Sequence, residues 1–189
     1  MPALTNCMRL SYETSFGILK ERVEIIGGPR PVVDRPPQYD DDDPGPSIFR
    51  MMIDDVSLAD LTIPGLYVGR SELIRVLFSG TDMTLCTMNW CDIVDCDFRG
   101  ALLCGADLRA CQFVRCLFQS ANLTGADLRL SSFQECSFDN AVMSGTRLYR
   151  PRRMFLLSKT GLGGDSLPLS ELQRNQLEWC NDAPEPGGG

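Results

Sequence analysis

Apolar residues recur at every fifth position of this chain, from residue 53 to residue 148, without a break. Only 43% of the chain is hydrophobic, so twenty apolar residues at twenty successive positions of this register are not accidental. A period of five fits neither an α-helix, with about 3.6 residues per turn, nor a flat strand, with a period of about 2. A chain that turns a corner every five residues returns the same side inward each time, which predicts coils of four sides and twenty residues. The apolar positions are Ile53, Leu58, Ile63, Val68, Leu73, Phe78, Met83, Met88, Ile93, Phe98, Leu103, Leu108, Phe113, Phe118, Leu123, Leu128, Phe133, Phe138, Met143 and Leu148.

The four sides of a coil are numbered here as faces, each defined by its central apolar residues. Face one is centred on residues 53, 73, 93, 113 and 133, and faces two, three and four follow at intervals of five residues. Stacked coils would pair their backbones at the strand spacing of about 4.8 Å, so that residues i and i+20 become neighbours. Residues 51–150 therefore predict about five coils.

A second register lies two residues before each centre, where no side chain from residue 71 onward is larger than valine. The segments ADLRA, ANLTG and ADLRL combine both registers in the pattern A(D/N)LxX, and ALLCG nearly does. Over residues 51–150 the sequence resembles the pentapeptide repeat proteins. The resemblance implies an all-β fold, the right-handed quadrilateral β-helix, which is a solenoid. The first coil departs from the pattern, because Met51, Val56, Leu61 and Leu66 stand at the small position, and we expect it to be distorted or covered by the N-terminal segment.

The predicted interior is crowded on face two, where phenylalanine takes the centre and cysteine the small position. We expect the rings to stack, and we interpret the thiols as reduced core residues that fill volume. Glycine at the last position of repeats on faces two and three predicts type II turns there, with non-glycine turns on the other faces. The core candidates on face two are Phe78, Phe98, Phe118, Phe138, Cys96, Cys116 and Cys136.

The composition limits the classes of function that this chain can have. The chain has 189 residues, a net charge of −7 and no histidine, which removes the usual general base and the commonest metal ligand. We find no phosphate loop, nucleophile–base pair or metal spacing, so we expect no enzyme activity, no cofactor and no metal site. The acidic balance argues against direct nucleic-acid binding and membrane binding. Nine cysteines, an odd number, and the lack of a long apolar run predict a soluble cytoplasmic protein.

The candidate partner-binding residues are outward positions that carry apolar or arginine side chains. Trp90 and Leu130 fall in one outward column of face four, and the strip of Ile74, Val94 and Val114 falls on face one. Tryptophan near arginine is common among interface hot spots. The alternatives are that residues 11–33 cover the strip and that the Trp90 ring lies flat on its neighbours. The arginine candidates on face four are Arg109 and Arg129, for which pairing with Asp107 and Asp127 is the alternative.

A further outward column on face one alternates in charge, and we interpret it as a solvated device that keeps the coils in register. Its members are Asp55, Arg75, Asp95, Arg115 and Glu135.

The flanks do not follow the repeat. Residues 1–50 predict a non-repeat N-terminal segment, a strand or cap near residues 17–26, followed by a linker rich in proline and aspartate, in which the run at residues 40–43 is interpreted as solvated charge. Residues 151–189 predict a C-terminal capping helix near residues 169–180 and a disordered tail. The segment SELQ from Ser170 is a capping box, and we expect Leu172 and Trp179 to share one helical face.

A solenoid without a cleft predicts a protein-binding module that acts through its surface, for example an immunity or antitoxin-type protein that neutralises a bacterial toxin. The resemblance implies an alternative, because some bacterial members of the family mimic DNA, bind DNA gyrase or topoisomerase and protect it from inhibitors. Residues 51–150 hold twelve acidic residues against eight arginines and no lysine, a net charge of −4, which is sparse for a DNA mimic. The sequence does not decide between a monomer and a homodimer formed through a rod end.

Overall fold

The computed structural model describes residues 10–27, 47–149 and 169–180. Two helices and ten short strands lie in these ranges. In chain order they are α1 (Tyr12–Gly27), β1 (Ser47–Phe49), β2 (Met52–Asp54), β3 (Tyr67–Gly69), β4 (Glu72–Ile74), β5 (Thr87–Asn89), β6 (Asp92–Val94), β7 (Gln112–Val114), β8 (Ser132–Gln134), β9 (Arg147–Tyr149), α2 (Glu171–Gln176) and β10 (Glu178–Cys180). No helix in these ranges is long and apolar enough to cross a membrane.

The strands pair in parallel at an offset of twenty residues, which confirms the predicted β-helix. On face one, β2, β4, β6, β7 and β8 form a five-stranded sheet in which Ile53 pairs with Leu73 and Leu73 with Ile93. On face four, β1, β3 and β5 form a three-stranded sheet, and single bridges continue the ladder upward. The five rungs of face one span four complete turns, so the number of coils differs slightly from the predicted five.

Two columns of stacked rings fill the interior, as the sequence predicts. Successive centroids of Phe78, Phe98, Phe118 and Phe138 lie 5.0, 4.9 and 4.8 Å apart, and those of Phe113 and Phe133 lie 4.9 Å apart. The columns meet edge to face at interplanar angles of 72 to 74°. All six rings are buried, and each contributes on the order of 1.5–3 kcal/mol of hydrophobic stabilisation.

The corners of the coil all use a left-handed backbone at the last repeat position, whether or not that position holds glycine. Gly65 has φ +68°, and Leu85, Trp90 and Leu130 have φ between 54 and 66°. The faces differ in the hydrogen bond across the corner, while the predicted type II geometry stays a prediction. On faces two and three the N–H of the next small residue donates to the central carbonyl three residues earlier, as from Ala121 to Phe118, and Leu128 accepts the corresponding bond on face four.

The small inward position does more than fill volume, and here the structure adds to the sequence interpretation. All eight cysteines in the described residues are free thiols, and Cys96 and Cys116 donate to carbonyls 23 residues earlier, at Sγ···O distances of 3.5 and 3.3 Å. The Val76 N–H in turn donates to Cys96 Sγ at 3.4 Å. At such corners the turn bond is missing, so a side chain that can donate and accept satisfies groups that alanine would leave unpaired.

Helix α1 caps the N-terminal end of the rod, where the small position holds large residues. Leu19 is buried in the core, and Phe16 and Ile18 pack against it. The buried Ser15 Oγ accepts the Thr62 N–H at 2.8 Å, and the Arg22 guanidinium donates to the Ser57 carbonyl. The first coil is thus covered, as expected, and the cover is a helix.

The C-terminal cap differs from the prediction in its length and its buried side. Helix α2 has the predicted capping box but ends at Gln176, and β10 follows it and pairs with β9 on face four. Leu172, expected on the packed side with Trp179, is 70% exposed, so that prediction is wrong. The buried residue is Gln173, because its Nε2 donates to the Phe138 and Ala141 carbonyls at 2.7 and 3.0 Å. A polar side chain is needed here because no backbone N–H of the described residues donates to the Ala141 carbonyl on the last coil.

Candidate protein-binding surface

The most exposed apolar side chains of face four stand at its corner with face one. Trp90 is 66% exposed and Leu130 is 54% exposed, with Ala110 on the rung between them. We call these three residues the Trp90 corner. The described residues leave the Trp90 ring open to solvent, so it does not lie buried against its neighbours. Its role in binding stays a prediction.

The apolar strip of Ile74, Val94 and Val114 lies in register on β4, β6 and β7, and all three side chains are half-buried. Helix α1, the described part of the predicted cover, packs on β2 at the rod end. Residues 28–33 of that cover lie outside the described residues. The strip therefore stays a candidate contact surface.

The Trp90 corner and the strip border the same face. Asp92 and Val94 both point outward from β6, on either side of the buried Ile93, and Trp90 precedes Asp92 by two residues. The two apolar groups thus flank a narrow polar column on face one. Together they form one candidate surface, which the sequence analysis had placed on two separate faces.

The alternating charges on face one pair only in part as predicted. Arg115 bonds Asp95 at 2.6 Å, one rung below it, and its hydrogen bonds hold the pKa of Asp95 below its usual value although burial opposes this. Arg75 instead bonds Asp54, at 2.5 Å, and not a member of its own column. These exposed pairs help to keep neighbouring coils in register and contribute little to stability, because water screens them.

Face four carries a continuous ion-pair network around the arginine candidates. Arg109 bonds Asp107 at 2.7 Å, and Arg129 bonds Asp127 at 2.6 Å. Arg147 joins Asp127 at 3.4 Å. Burial alone would raise the pKa of Asp127, but hydrogen bonds from Arg129 and the charges of Arg129 and Arg147 outweigh it and lower the pKa. Arg109 and Arg129 therefore serve the network first, and their role in partner recognition stays a prediction.

The charge of the rod is spread over all four faces and does not form one acidic stripe, and faces four and one differ in sign. Within residues 47–149, face four carries five outward arginines and two carboxylates. Face one carries two arginines and six carboxylates, and the apolar strip interrupts them. The face-one carboxylates are Asp54, Asp55, Glu72, Asp92, Asp95 and Glu135.

The outward column of face four continues one rung lower than the sequence register predicts. Strand β1 pairs with β3, so Ile48 acts as a further buried centre and Arg50 stands below Arg70 at the corner. Phe49 stacks on Tyr67 with centroids 6.4 Å apart, and the Arg50 guanidinium lies 5.2 Å from the Phe49 centroid. The signal for this rung was Ile48, which stands five residues before Ile53.

The described residues show no constellation of catalytic type. A shallow cleft between α2 and the last coil is lined partly by Ser170 and Gln173, whose polar atoms are used in capping. Within the same ranges, no group of three or more cysteine, aspartate or glutamate side chains is placed to hold a metal ion. Burial, with a contribution from Asp107, raises the pKa of the Cys86 thiol to about 12, so this thiol stays protonated.

Comparison with known proteins identifies the repeat. The family model described as "Pentapeptide repeats" matches eight copies, at residues 71–109 and 111–148. No curated protein matches the sequence.

Three solved structures match part of this chain. The protein HetL of the cyanobacterium Nostoc sp. strain PCC 7120 is 19% identical, with a TM-score of 0.39, and the match covers 56% of this chain and 44% of HetL. QnrB1, a plasmid-mediated fluoroquinolone resistance protein, is 14% identical with a TM-score of 0.33, over 52% of this chain and 50% of QnrB1. A pentapeptide repeat protein of the Arabidopsis thaliana thylakoid lumen is 22% identical with a TM-score of 0.32, over 65% of this chain and 72% of that protein. Residues 71–109 and 111–148 therefore carry pentapeptide repeats, and in this part the chain is similar to the pentapeptide repeat family.

Proposed function

We propose that this chain is a non-enzymatic protein-binding module that uses face one and the Trp90 corner as its contact surface. The observation that carries the proposal is the exposure of Trp90 and Leu130 on a rigid rod whose other large side chains are mostly buried. Tryptophan is enriched among the few residues that supply most binding energy, and a rigid scaffold loses little entropy when it binds.

The dimensions of the rod indicate how a partner would sit. Five rungs at about 4.8 Å and sides of about 16 Å give face one a projected area of roughly 400 Å². A standard interface buries about 800 Å² on each partner, so the partner must also contact an adjacent face. Face four is the adjacent face that shares the Trp90 corner.

We propose an immunity or antitoxin-type protein, which binds and neutralises a bacterial toxin in the cytoplasm, as the concrete form of this function. Free thiols in the core support a reducing compartment. Mixed charge beside apolar side chains supports a tailored interface with one protein. Gyrase binding by DNA mimicry would need a dense row of anions, whereas Arg75 and Arg115 pair with carboxylates of face one and the apolar strip separates the rest.

The test is affinity capture on the immobilised full-length chain, with matched variants. Trp90→Ala combined with Leu130→Ala removes the apolar corner, and Leu85→Ala, which is 67% exposed on another corner of the same coil, is the control. We expect one protein that is captured by the wild type and the control and lost with the double variant. A gyrase supercoiling assay runs alongside. Inhibition of supercoiling at equimolar chain, or equal capture by all three proteins, contradicts the proposal.

A further inference from the structure

We propose that the N-terminal end of the face-four corner binds a carboxylate-bearing segment of the protein partner, through Arg50 and Arg70 and with Trp90 beside them. The inference rests on the proposed function and specifies the chemistry that the partner must present. We call Arg50 and Arg70 the arginine pair.

The arginine pair is distinguished by the lack of an internal carboxylate partner. Of the eight arginines within residues 47–149, six lie 2.5 to 3.4 Å from a carboxylate oxygen. For Arg50 and Arg70, which are both exposed, the described residues provide no ion pair. The chain has more acidic than basic residues, so unpaired neighbouring arginines are not a consequence of a shortage of carboxylates.

The two guanidinium groups belong to successive rungs of one corner. The Arg50 N–H donates to the Gly69 carbonyl, and the Arg70 N–H donates to the Asn89 carbonyl, each at 3.0 Å. Their α-carbons are therefore about one strand spacing apart, roughly 4.8 Å. Like charges on neighbouring rungs repel each other, and a carboxylate that binds between them reduces the repulsion and gains charge-assisted hydrogen bonds.

An aromatic base supports Arg50. The Arg50 guanidinium lies over the Phe49 ring, and Phe49 stacks on Tyr67, which is only 4% exposed. Burial raises the pKa of the Tyr67 hydroxyl, and the charge of Arg70 opposes the shift. A supported arginine loses less side-chain entropy on binding than a free one.

The surroundings favour an acidic protein segment over a nucleic acid. Glu72 and Asp92 follow Arg70 and Trp90 by two residues and point outward from face one. A long polyanion would meet these carboxylates, whereas a short acidic segment fits on two cations. Trp90, on the next rung, offers an apolar contact to a side chain of the same segment.

The experiment selects dodecapeptides from a random phage-displayed library on the immobilised full-length chain. The test variant is Arg50→Gln with Arg70→Gln, and the control is Arg75→Gln with Arg115→Gln, two exposed arginines that are already ion-paired. We expect Asp and Glu to be enriched on the wild type and the control and not on the test variant. A selected peptide should lose roughly ten-fold in affinity for each arginine removed, and its binding should weaken as salt rises.

Several results overturn the inference. One is a selection without acidic bias, and another is an acidic peptide that binds the test variant as tightly as the wild type. A third is tight binding of a fluorescent thymidine dodecamer. If the dodecamer binds the wild type more tightly than the peptide does, and the test variant loses this binding, the arginine pair binds nucleic acid and not an acidic protein segment. If partner capture depends on Trp90 and Leu130 but survives loss of the arginine pair, the proposed function stands and this inference alone is wrong.

Discussion

Gln173 closes the C-terminal end of the rod, and its replacement by methionine tests how that end is stabilised. The side chain makes two donor bonds to the Phe138 and Ala141 carbonyls, and its Oε1 accepts from Ser170 N and Ser170 Oγ at 2.9 and 3.1 Å. Methionine has nearly the same length but makes none of these bonds. The Ala141 carbonyl is left unpaired at a cost of about 1–3 kcal/mol, whereas the Phe138 carbonyl keeps the bond from the Ala141 N–H at 2.9 Å. Loss of the glutamine half of the capping box costs about 1 kcal/mol more. Because the rod end can rehydrate in part, we expect a total loss on the order of 3 kcal/mol.

The measurement is urea unfolding followed by circular dichroism, where a slope of about 2 kcal/mol per M converts this loss to a midpoint shift of roughly 1.5 M. Hydrogen exchange at the Gly145 amide, which donates to the Gln176 carbonyl, should accelerate on the order of 100-fold if the cap opens locally. Gln176→Met, on the same helix, is the control and should cost less than about 0.5 kcal/mol. If Gln173→Met is no more destabilising than this control, the capping role of the side chain is refuted.

Replacement of Gln173 by glutamate tests the direction in which stability changes with pH. A carboxylate cannot donate to the Phe138 and Ala141 carbonyls, so the fold disfavours the ionised form and raises the pKa of Gln173→Glu above its unfolded value of about 4.3. Stability gained from the protonated form is then fully present below that value and is lost as pH rises through the folded pKa. The variant should approach the wild type near pH 4 and fall furthest behind at pH 7, and a constant difference across this range would contradict the argument.

Four further changes test other parts of the rod. Phe118→Ala, between rings at 4.9 and 4.8 Å, should cost about 3–5 kcal/mol in urea unfolding, and a loss below about 1 kcal/mol would deny the aromatic column its role. Cys116→Ala should cost about 1 kcal/mol because it removes the donor to the Ile93 carbonyl, while Cys116→Ser should restore most of this; equal losses would show that only volume matters. Leu130→Asn should stabilise the fold by about 0.5 kcal/mol, because asparagine tolerates φ 66° better, yet weaken partner capture. Asp127→Asn should destabilise the rod at pH 7, and the difference should shrink as pH falls through the lowered pKa of Asp127, since an aspartate with a depressed pKa stabilises only while it is ionised.

The interior of the rod was predictable because one physical requirement sets it. Every fifth residue must fill the core, so the position of Phe98 or Leu123 in the repeat fixes the face on which it lies. For a phenylalanine, the same position also fixes which ring it stacks on. The hydrogen-bonding use of Cys96 was not predictable in this way, because it depends on which corners lack a turn bond. Cysteine and alanine look equivalent when only size is considered.

The caps were harder to predict because they obey no repeat. The capping box at Ser170 was readable from local chemistry, but the side of α2 that faces the rod was not. The apolar pattern favours Leu172 as the buried residue. The end of the β-helix exposes carbonyl groups, however, so the residue that is buried is Gln173, whose side chain can donate to them. Likewise, the strip on face one and the Trp90 corner form one surface because of the geometry of the corner, which the sequence period does not give.

Backbone strain is shared by every corner of the rod and does not by itself single out the Trp90 corner. Trp90 and Leu130 adopt φ 54° and 66°, a conformation that costs a non-glycine residue on the order of 1–2 kcal/mol. Faces two and three relieve this cost with glycine at most of their corners, as at Gly125 with φ 68°. Leu130 is more than half exposed, so packing within the described residues returns little for the strain. The strain therefore follows from the coil geometry, as it does at Leu85, which has φ 58° and is 67% exposed. The case for binding at the Trp90 corner rests on the exposed tryptophan and leucine themselves, because such side chains supply much of the energy of protein interfaces.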